Sequence, residues 1–144
     1  MAARNTARKR AFQILFEADQ RGAEVLTVLA DWLRLSRTDP RQPPVSEYTM
    51  QLVEGYAEYA TRIDELIGQY AVGWTLDRMP VVDRNVLRLG AYELIWVDET
   101  PDAVVLDEMV QLAKEFSTEE SPSFVNGLLG RLKDLKPSLR RDEV

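Results

Sequence analysis

The 144-residue sequence predicts an all-α fold of about seven helices. Apolar residues recur three and four positions apart along most of the chain, which is the period of a helix with one buried face. Apolar–polar alternation over the length of a strand is absent. The segment VVDRNVLRLGAYELIWV, residues 81–97, is apolar nearly all round, so we expect this helix at the centre of the molecule.

The first two helices are predicted over residues 4–21 and 24–35. Gly22 stands between them, where a left-handed glycine commonly ends a helix. Their apolar stripes consist of Ala7, Ala11, Ile14, Leu15, Ala18, Leu26, Leu29, Trp32 and Leu33. A loop follows over residues 37–45, because its three prolines lack the backbone N–H that a helix needs.

Five further helices complete the prediction. They span residues 46–57, 61–70, 80–97, 100–116 and 121–136. Serine or threonine at the N-cap and proline at the first helical position mark their starts, at Ser46, Pro80, Thr100-Pro101 and Ser121-Pro122. The last helix is expected to end at Lys136-Pro137, which leaves residues 137–144 as a frayed tail. We expect one domain over residues 1–144.

Two absences in the composition narrow the function. Without cysteine and histidine, the chain has no disulfide, no Ser-His-Asp triad, no Cys–His pair and no zinc site built on these ligands. No apolar run approaches the roughly 20 residues that cross a bilayer, and no signal-peptide pattern is present. The composition predicts a cytoplasmic binding protein without enzymatic activity, cofactor or metal.

Charge is distributed unevenly along the chain. The net charge is −6, yet the first 16 residues carry +4, so the remainder carries −10. The positive residues of this basic arm are Arg4, Arg8, Lys9 and Arg10. Guanidinium groups fork onto phosphate oxygens, so the arm is a candidate for binding a short single-stranded RNA. A solvated helix end with incidental basic residues is the alternative, and the residues alone leave both open.

A second candidate region is STEESPSFVNG, residues 117–127. Phe124 falls in the first turn of the last helix, either to stack on a base or to fill the core, and its spacing favours the core. Asn126 and Gly127 are costly inside a helix. We expect Gly127 to allow another helix to approach closely, and Asn126 to bond to backbone in a crowded place.

Charged residues on the central helix predict one exposed strip, formed by Asp83, Arg84, Arg88 and Glu93. This strip is either a partner interface or, for Asp83 in the first turn, a favourable charge near the positive end of the helix dipole. The acid pairs at 107–108 and 119–120 are rejected as acid–base or metal sites, because adjacent residues of a helix do not face each other.

Three segments resemble the NusB transcription antitermination family: ARKRAFQILFEAD, WTLDRMPVVDRNVLRLGAYEL and DEMVQLAKEFSTEESPSFVNGLLG. They cover most of the chain between Thr6 and Leu132. The resemblance implies an all-α fold of two small helical bundles packed crosswise. It also implies a non-enzymatic antitermination factor. Such a factor binds the boxA RNA of ribosomal RNA leaders together with NusE, a ribosomal small-subunit protein, and joins RNA polymerase with other Nus factors.

The resemblance also implies roles for individual residues. The RNA-binding positions are Arg4, Arg8, Lys9, Arg10, Glu119, Glu120 and Phe124. Phe16 and Asp83 match positions near the partner surface, and we place Arg84 and Arg88 with them. Where the family often has tyrosine this chain has Phe16, which removes any hydroxyl bond there. The short basic arm predicts weak RNA affinity without the partner.

A helical protein-interaction scaffold without direct RNA binding is the alternative function. The chain is also similar to the N-terminal module of ribosomal RNA cytosine methyltransferases. It has neither a Gly-rich cofactor loop nor a cysteine nucleophile, so an independent methyltransferase is not expected. The sequence leaves open the choice between monomer and homodimer, the preferred RNA sequence, the extent of the NusE interface and whether RNA binding needs the partner.

Overall fold

The computed structural model describes residues 2–141 and shows six α-helices in that range. They are α1 (Ala2–Arg21), α2 (Val25–Thr38), α3 (Glu47–Tyr70), α4 (Val81–Trp96), α5 (Asp102–Phe116) and α6 (Ser121–Arg141), with a 3-10 helix at Leu76–Arg78. No strand occurs among these residues, which confirms the predicted all-α class. None of the described helices is long and apolar enough to cross a membrane.

The chain forms two compact units, one of residues 1–58 and one of residues 59–144. The first unit contains α1, α2 and the first half of α3, and the second contains the rest of α3 with α4, α5 and α6. The assignment of residues 1–144 to one domain stays a prediction.

The helix α3 replaces two helices that we predicted separately. Residues 58–60 contain neither glycine nor proline, so nothing in the backbone interrupts the helix there. Its predicted start is confirmed, because the Ser46 hydroxyl accepts a hydrogen bond from the Thr49 N–H at 3.2 Å. This is the usual geometry of a serine N-cap.

The end of α6 lies beyond the predicted position. The helix passes through Pro137 and continues to Arg141, so the predicted stop at Lys136 is wrong. Proline removes one backbone hydrogen bond, but the following turn is held by the side chain of Leu139, which is buried. The rest of the predicted frayed tail, residues 142–144, lies outside the described residues.

In the first unit, α1 packs against α2. The predicted stripe of α1 is buried, and α1 ends at Arg21, before Gly22, whose φ of 65° is the left-handed conformation that glycine tolerates. The stripe of α2 differs from the prediction, since Leu26 is 49% exposed while Val28 is buried. The buried apolar side chains of this unit are Ala7, Ala11, Phe12, Ile14, Leu15, Ala18, Val28, Leu29, Leu52, Val53 and Tyr56.

In the second unit, α4, α5 and α6 pack against one another, and α4 is buried along most of its length as predicted. Gly90 makes this possible, because a Cβ there would lie 2.8 Å from both Leu129 Cδ1 and Met109 Cγ. The close approach predicted for Gly127 is wrong. A Cβ at Gly127 would meet nothing within 4 Å, and Asn126 beside it is exposed rather than crowded.

Three aromatic rings stack on the second unit. The Tyr59 and Trp96 ring centroids are 4.3 Å apart with an interplanar angle of 10°. Tyr92 lies 6.2 Å from Trp96 and 6.4 Å from Tyr59, again with nearly parallel planes. This ring stack joins α3 to α4, and each of its members is half-buried.

Candidate nucleic-acid interface

The basic arm lies on the first three turns of α1, and its four cations have different surroundings. Arg4 is exposed, and its guanidinium carbon lies 4.3 Å from the centroid of the Tyr48 ring. Lys9 is half-buried. Arg4 has no carboxylate partner among residues 2–141, so its charge is available to an anion.

Arg8 differs from the expectation of a solvent-facing cation. Its side chain is only 2% exposed, and its guanidinium carbon lies 5.6 Å from the Tyr48 ring centroid. Thr49, the next residue of α3, donates a hydrogen bond to the Ala7 carbonyl at 3.0 Å and holds the two helices together here. Arg8 therefore supports the arm from inside instead of presenting its guanidinium to solvent.

Arg10 anchors the Pro-rich loop. Its Nη1 donates to the carbonyl of Pro44 at 2.9 Å and to that of Pro43 at 3.3 Å. Its guanidinium carbon also lies 5.1 Å from the centroid of the Trp32 ring. Partial burial lowers the pKa of Arg10 below its ordinary value, but an arginine stays protonated at neutral pH.

Several other arginines of the described residues form ion pairs with carboxylates. Arg21 pairs with Glu17 and Asp31, and Arg88 pairs with Asp64 through two hydrogen bonds. Arg34 also pairs with Asp31, and Arg41 pairs with Asp39. Neither Arg4 nor Arg10 has such a partner within residues 2–141, so positive charge is uncompensated on α1.

The second candidate region lies in the second unit, at the turn between α5 and α6. Asp83, which we expected on an exposed strip, is 4% exposed. Its carboxylate accepts hydrogen bonds from the hydroxyls of Ser117 and Ser121, the latter at 2.9 Å. Glu93 is also buried, so the predicted strip is wrong at both acids. These two hydrogen bonds to Asp83 fix the turn between α5 and α6.

An aromatic groove opens beside this turn. Phe124 is half-buried, and its ring centroid lies 6.4 Å from that of Trp74, which is 47% exposed. The two rings, with Pro80 and Glu120, border a groove of about 280 Å³. Glu119 and Glu120 are exposed on the turn. Phe124 is thus neither a core residue nor fully exposed, and its outer face is accessible.

The predicted partner-binding residues are half-buried, apart from Asp83. Phe16 lies 6.0 Å from Phe12, measured between ring centroids. Arg84 donates to the Leu76 carbonyl at 3.2 Å, and Arg88 also donates to the side-chain oxygen of Asn85. These contacts stabilise the fold, and the partner-binding role of the four residues stays a prediction.

The candidate residues do not include a metal site. Among residues 2–141, no group of three or more acidic side chains is placed to hold a metal ion.

Sequence reasoning missed Tyr48, Trp32 and Trp74, the aromatic neighbours of the candidate residues. Tyr48 had one usable signal, the Ser46 N-cap that fixes the first turn of α3, but the sequence does not show that this turn meets α1.

Comparison with known proteins decides the family. The NusB family model matches residues 5–134. This chain belongs to the NusB family. The transcription antitermination protein NusB of Streptomyces avermitilis is 86% identical over the full length of both chains. The corresponding NusB of Thermobifida fusca is 54% identical, with 94% of this chain and 92% of that protein covered.

Solved NusB structures share the fold. A T. maritima NusB structure has a TM-score of 0.80 and 32% identity, with 98% of this chain and 97% of that chain covered. A crystal structure of the antitermination factors NusB and NusE in complex with dsRNA has a TM-score of 0.78 and 29% identity, covering 93% and 98%. The NusB resemblance stated from the three sequence segments is therefore confirmed.

Proposed function

We propose that this protein is a non-enzymatic transcription antitermination factor that binds boxA-type single-stranded RNA together with NusE. The complex joins RNA polymerase with other Nus factors in the cytoplasm. The observation that carries the RNA-binding part is the uncompensated charge of Arg4 and Arg10, on a chain whose net charge is −6. A relative in complex with NusE and dsRNA supports NusE and an RNA as the two classes of partner.

The arginines of the basic arm have different roles in this proposal. Arg4 is exposed and binds phosphate, because a guanidinium makes charge-assisted hydrogen bonds to phosphate oxygens. Tyr48 limits the conformations of the Arg4 side chain before RNA arrives, so less rotamer entropy is lost on binding. Arg8 acts through Tyr48 and does not contact RNA itself.

The turn before α6 has a different task. Glu119 and Glu120 repel phosphate, so this surface binds base faces or a basic protein rather than the RNA backbone. The exposed faces of Trp74 and Phe124 provide the stacking area that unpaired bases need. Phe16 and Asp83 are kept as partner-binding residues on the resemblance, and Arg84 and Arg88 are kept with them as charged residues of the same helix as Asp83.

The test is a titration of a short boxA RNA and a scrambled control with this protein, with and without NusE. Arg4→Gln removes one exposed, unpaired cation, and we expect RNA affinity to fall about three- to tenfold. Arg34→Gln is the matched control, because Arg34 is equally a helical cation of the first unit but pairs with Asp31. It should change affinity less than about twofold.

Two outcomes would reject parts of this proposal. Equal binding of the boxA and scrambled RNAs would remove its sequence-specific part. If no RNA binds with or without NusE while NusE itself binds, the alternative of a protein-interaction scaffold is correct.

A further inference from the structure

A small groove lies on the first unit beside the Pro-rich loop. Arg10, Trp32, Leu35 and Gln42 line it, and its volume is about 190 Å³. Typical pockets for drug-sized ligands begin at roughly 300 Å³, so this groove suits a smaller group. Three different segments supply its walls, namely α1, α2 and the loop that follows α2.

One edge of the Arg10 guanidinium is open. Its hydrogen bonds to the Pro43 and Pro44 carbonyls both use Nη1, whereas Nε and Nη2 have no partner within residues 2–141. These two nitrogens form the fork that matches two phosphate oxygens. Pro44 restricts ψ of Pro43 to extended values, and the two carbonyls together hold the guanidinium in a defined orientation. The loop thus orients the Arg10 cation without neutralising it.

The other walls of the groove fit a nucleobase. The Trp32 ring is fixed, because its Nε1 donates to Glu17 at 3.0 Å. Leu35 adds an apolar surface that is 47% exposed. Gln42 is exposed, and its side-chain amide can both donate and accept a hydrogen bond, as the edge of a base requires. A cation, a half-buried aromatic ring that this cation covers in part, and an amide therefore meet in one small groove.

We propose that this groove binds one unpaired nucleotide of single-stranded RNA. The phosphate lies on the Nε–Nη2 edge of Arg10, the base packs against Trp32 and Leu35, and the Gln42 amide bonds to the base edge. The inference rests on the proposed RNA-binding function and adds a site away from Arg4 and Tyr48. An acidic peptide would satisfy Arg10 but leave the aromatic and apolar walls unused, so the observations favour the nucleotide.

Variants of the groove test this site through the affinity for a short single-stranded RNA and its salt dependence. Arg10→Gln should lower affinity about tenfold and reduce the slope of log affinity against log salt by about 0.7. Arg10→Lys keeps the charge but not the fork, so affinity falls while the slope is retained. Arg41→Gln is the matched control, since Arg41 lies in the same loop, is 89% exposed and pairs with Asp39. It should change affinity less than about twofold.

The aromatic wall has its own readout. In a variant with Trp74→Phe and Trp96→Phe, Trp32 is the only tryptophan, and a base stacked on it should quench its fluorescence along the same curve as binding. Trp32→Leu should weaken binding several-fold more than Trp32→Phe, which keeps a stacking face. Thermal denaturation checks that each variant is folded.

Each result decides between specific alternatives. RNA binding that is lowered by Arg4→Gln but unchanged in the Arg10, Trp32 and Gln42→Ala variants overturns the groove and leaves the proposed function standing. Quenching by an acidic peptide but not by RNA assigns the groove to a protein partner and also overturns it. If the wild-type protein binds no RNA even with NusE, both proposals fall together.

Discussion

Asp83 joins the ends of two helices through a single carboxylate. It lies in the first turn of α4 and accepts hydrogen bonds from Ser117, at the end of α5, and from Ser121, at the start of α6. Hydrogen bonds to an ionised group contribute more than neutral ones, about 1.5–3 kcal/mol each in protein mutants. The turn that carries Glu119 and Glu120 therefore depends on this buried acid.

Replacing Asp83 tests its structural role. Asp83→Ala should lower the free energy of unfolding by about 1–3 kcal/mol, because two buried hydroxyls lose their acceptor. Asp83→Asn keeps one oxygen acceptor and should cost less. Urea denaturation measures both. Glu120→Ala, an exposed change in the same turn, is the control and should stay within about 0.5 kcal/mol of the parent. A loss no larger in Asp83→Ala than in this control would contradict the assignment.

The sequence predicted the buried apolar stripe of α1, but it did not predict which charged residues are buried. Arg8 and Asp83 are charged residues that we expected to face solvent. Both are covered by segments more than 30 positions away in the chain. Tyr48 covers Arg8, and the serines of the turn satisfy Asp83. Exposure depends on such long-range partners, which local patterns do not contain.

Among the helices, serine, threonine and proline near each N-terminus predicted the starts closely, although Pro80 and Pro101 are themselves the N-cap residues of α4 and α5 and make no side-chain cap hydrogen bond. The starts of α3, α4, α5 and α6 fall within about two residues of the prediction. Two predictions of helix extent were wrong. Pro137 did not end α6, because Leu139 is buried beyond it, and the helices predicted over residues 46–57 and 61–70 form the single helix α3.

Two glycines make the packing of α4 and α6 testable. Gly90→Ala should destabilise the protein by about 1–2 kcal/mol, because overpacking against Leu129 and Met109 exceeds the gain in helix propensity. Gly127→Ala should stabilise it by about 0.5–1 kcal/mol, because its Cβ meets open space and alanine favours the helix. Chemical denaturation measures the sign of the change in the free energy of unfolding for each variant. Shifts in the same direction would show that the contacts of Gly90 do not decide its cost.

Across the whole molecule, a basic arm is carried by a chain of net charge −6. The other 14 lysines and arginines belong to a remainder whose net charge is −10, so we expect few phosphate contacts outside the arm. The positive N-terminal segment and the negative remainder were predicted from the sequence alone, because the charge of a segment is the sum of the charges of its residues. What the sequence left out is that Arg8 is internal and that loop carbonyls orient Arg10.

The salt dependence of RNA binding should reflect this small number of cations. Each phosphate contact on a single strand contributes about −0.7 to the slope of log affinity against log salt. Contacts by Arg4, Lys9 and Arg10 give a slope of about −2, since Arg8 is buried. Titrations between 50 and 200 mM salt, roughly the range over which such slopes are measured, determine it. A slope steeper than about −5 would mean that cations outside the arm contact the RNA.

The ring stack of Tyr59, Tyr92 and Trp96 gives the protein an optical signal of its own. Near-parallel rings held in a chiral surrounding produce near-ultraviolet circular dichroism, which vanishes when side-chain packing loosens even while helices persist. Because the three rings come from α3 and α4, that signal reports when these two helices lose their fixed contact. A state that retains far-ultraviolet ellipticity but lacks the near-ultraviolet band would thus be recognised as helical and unpacked.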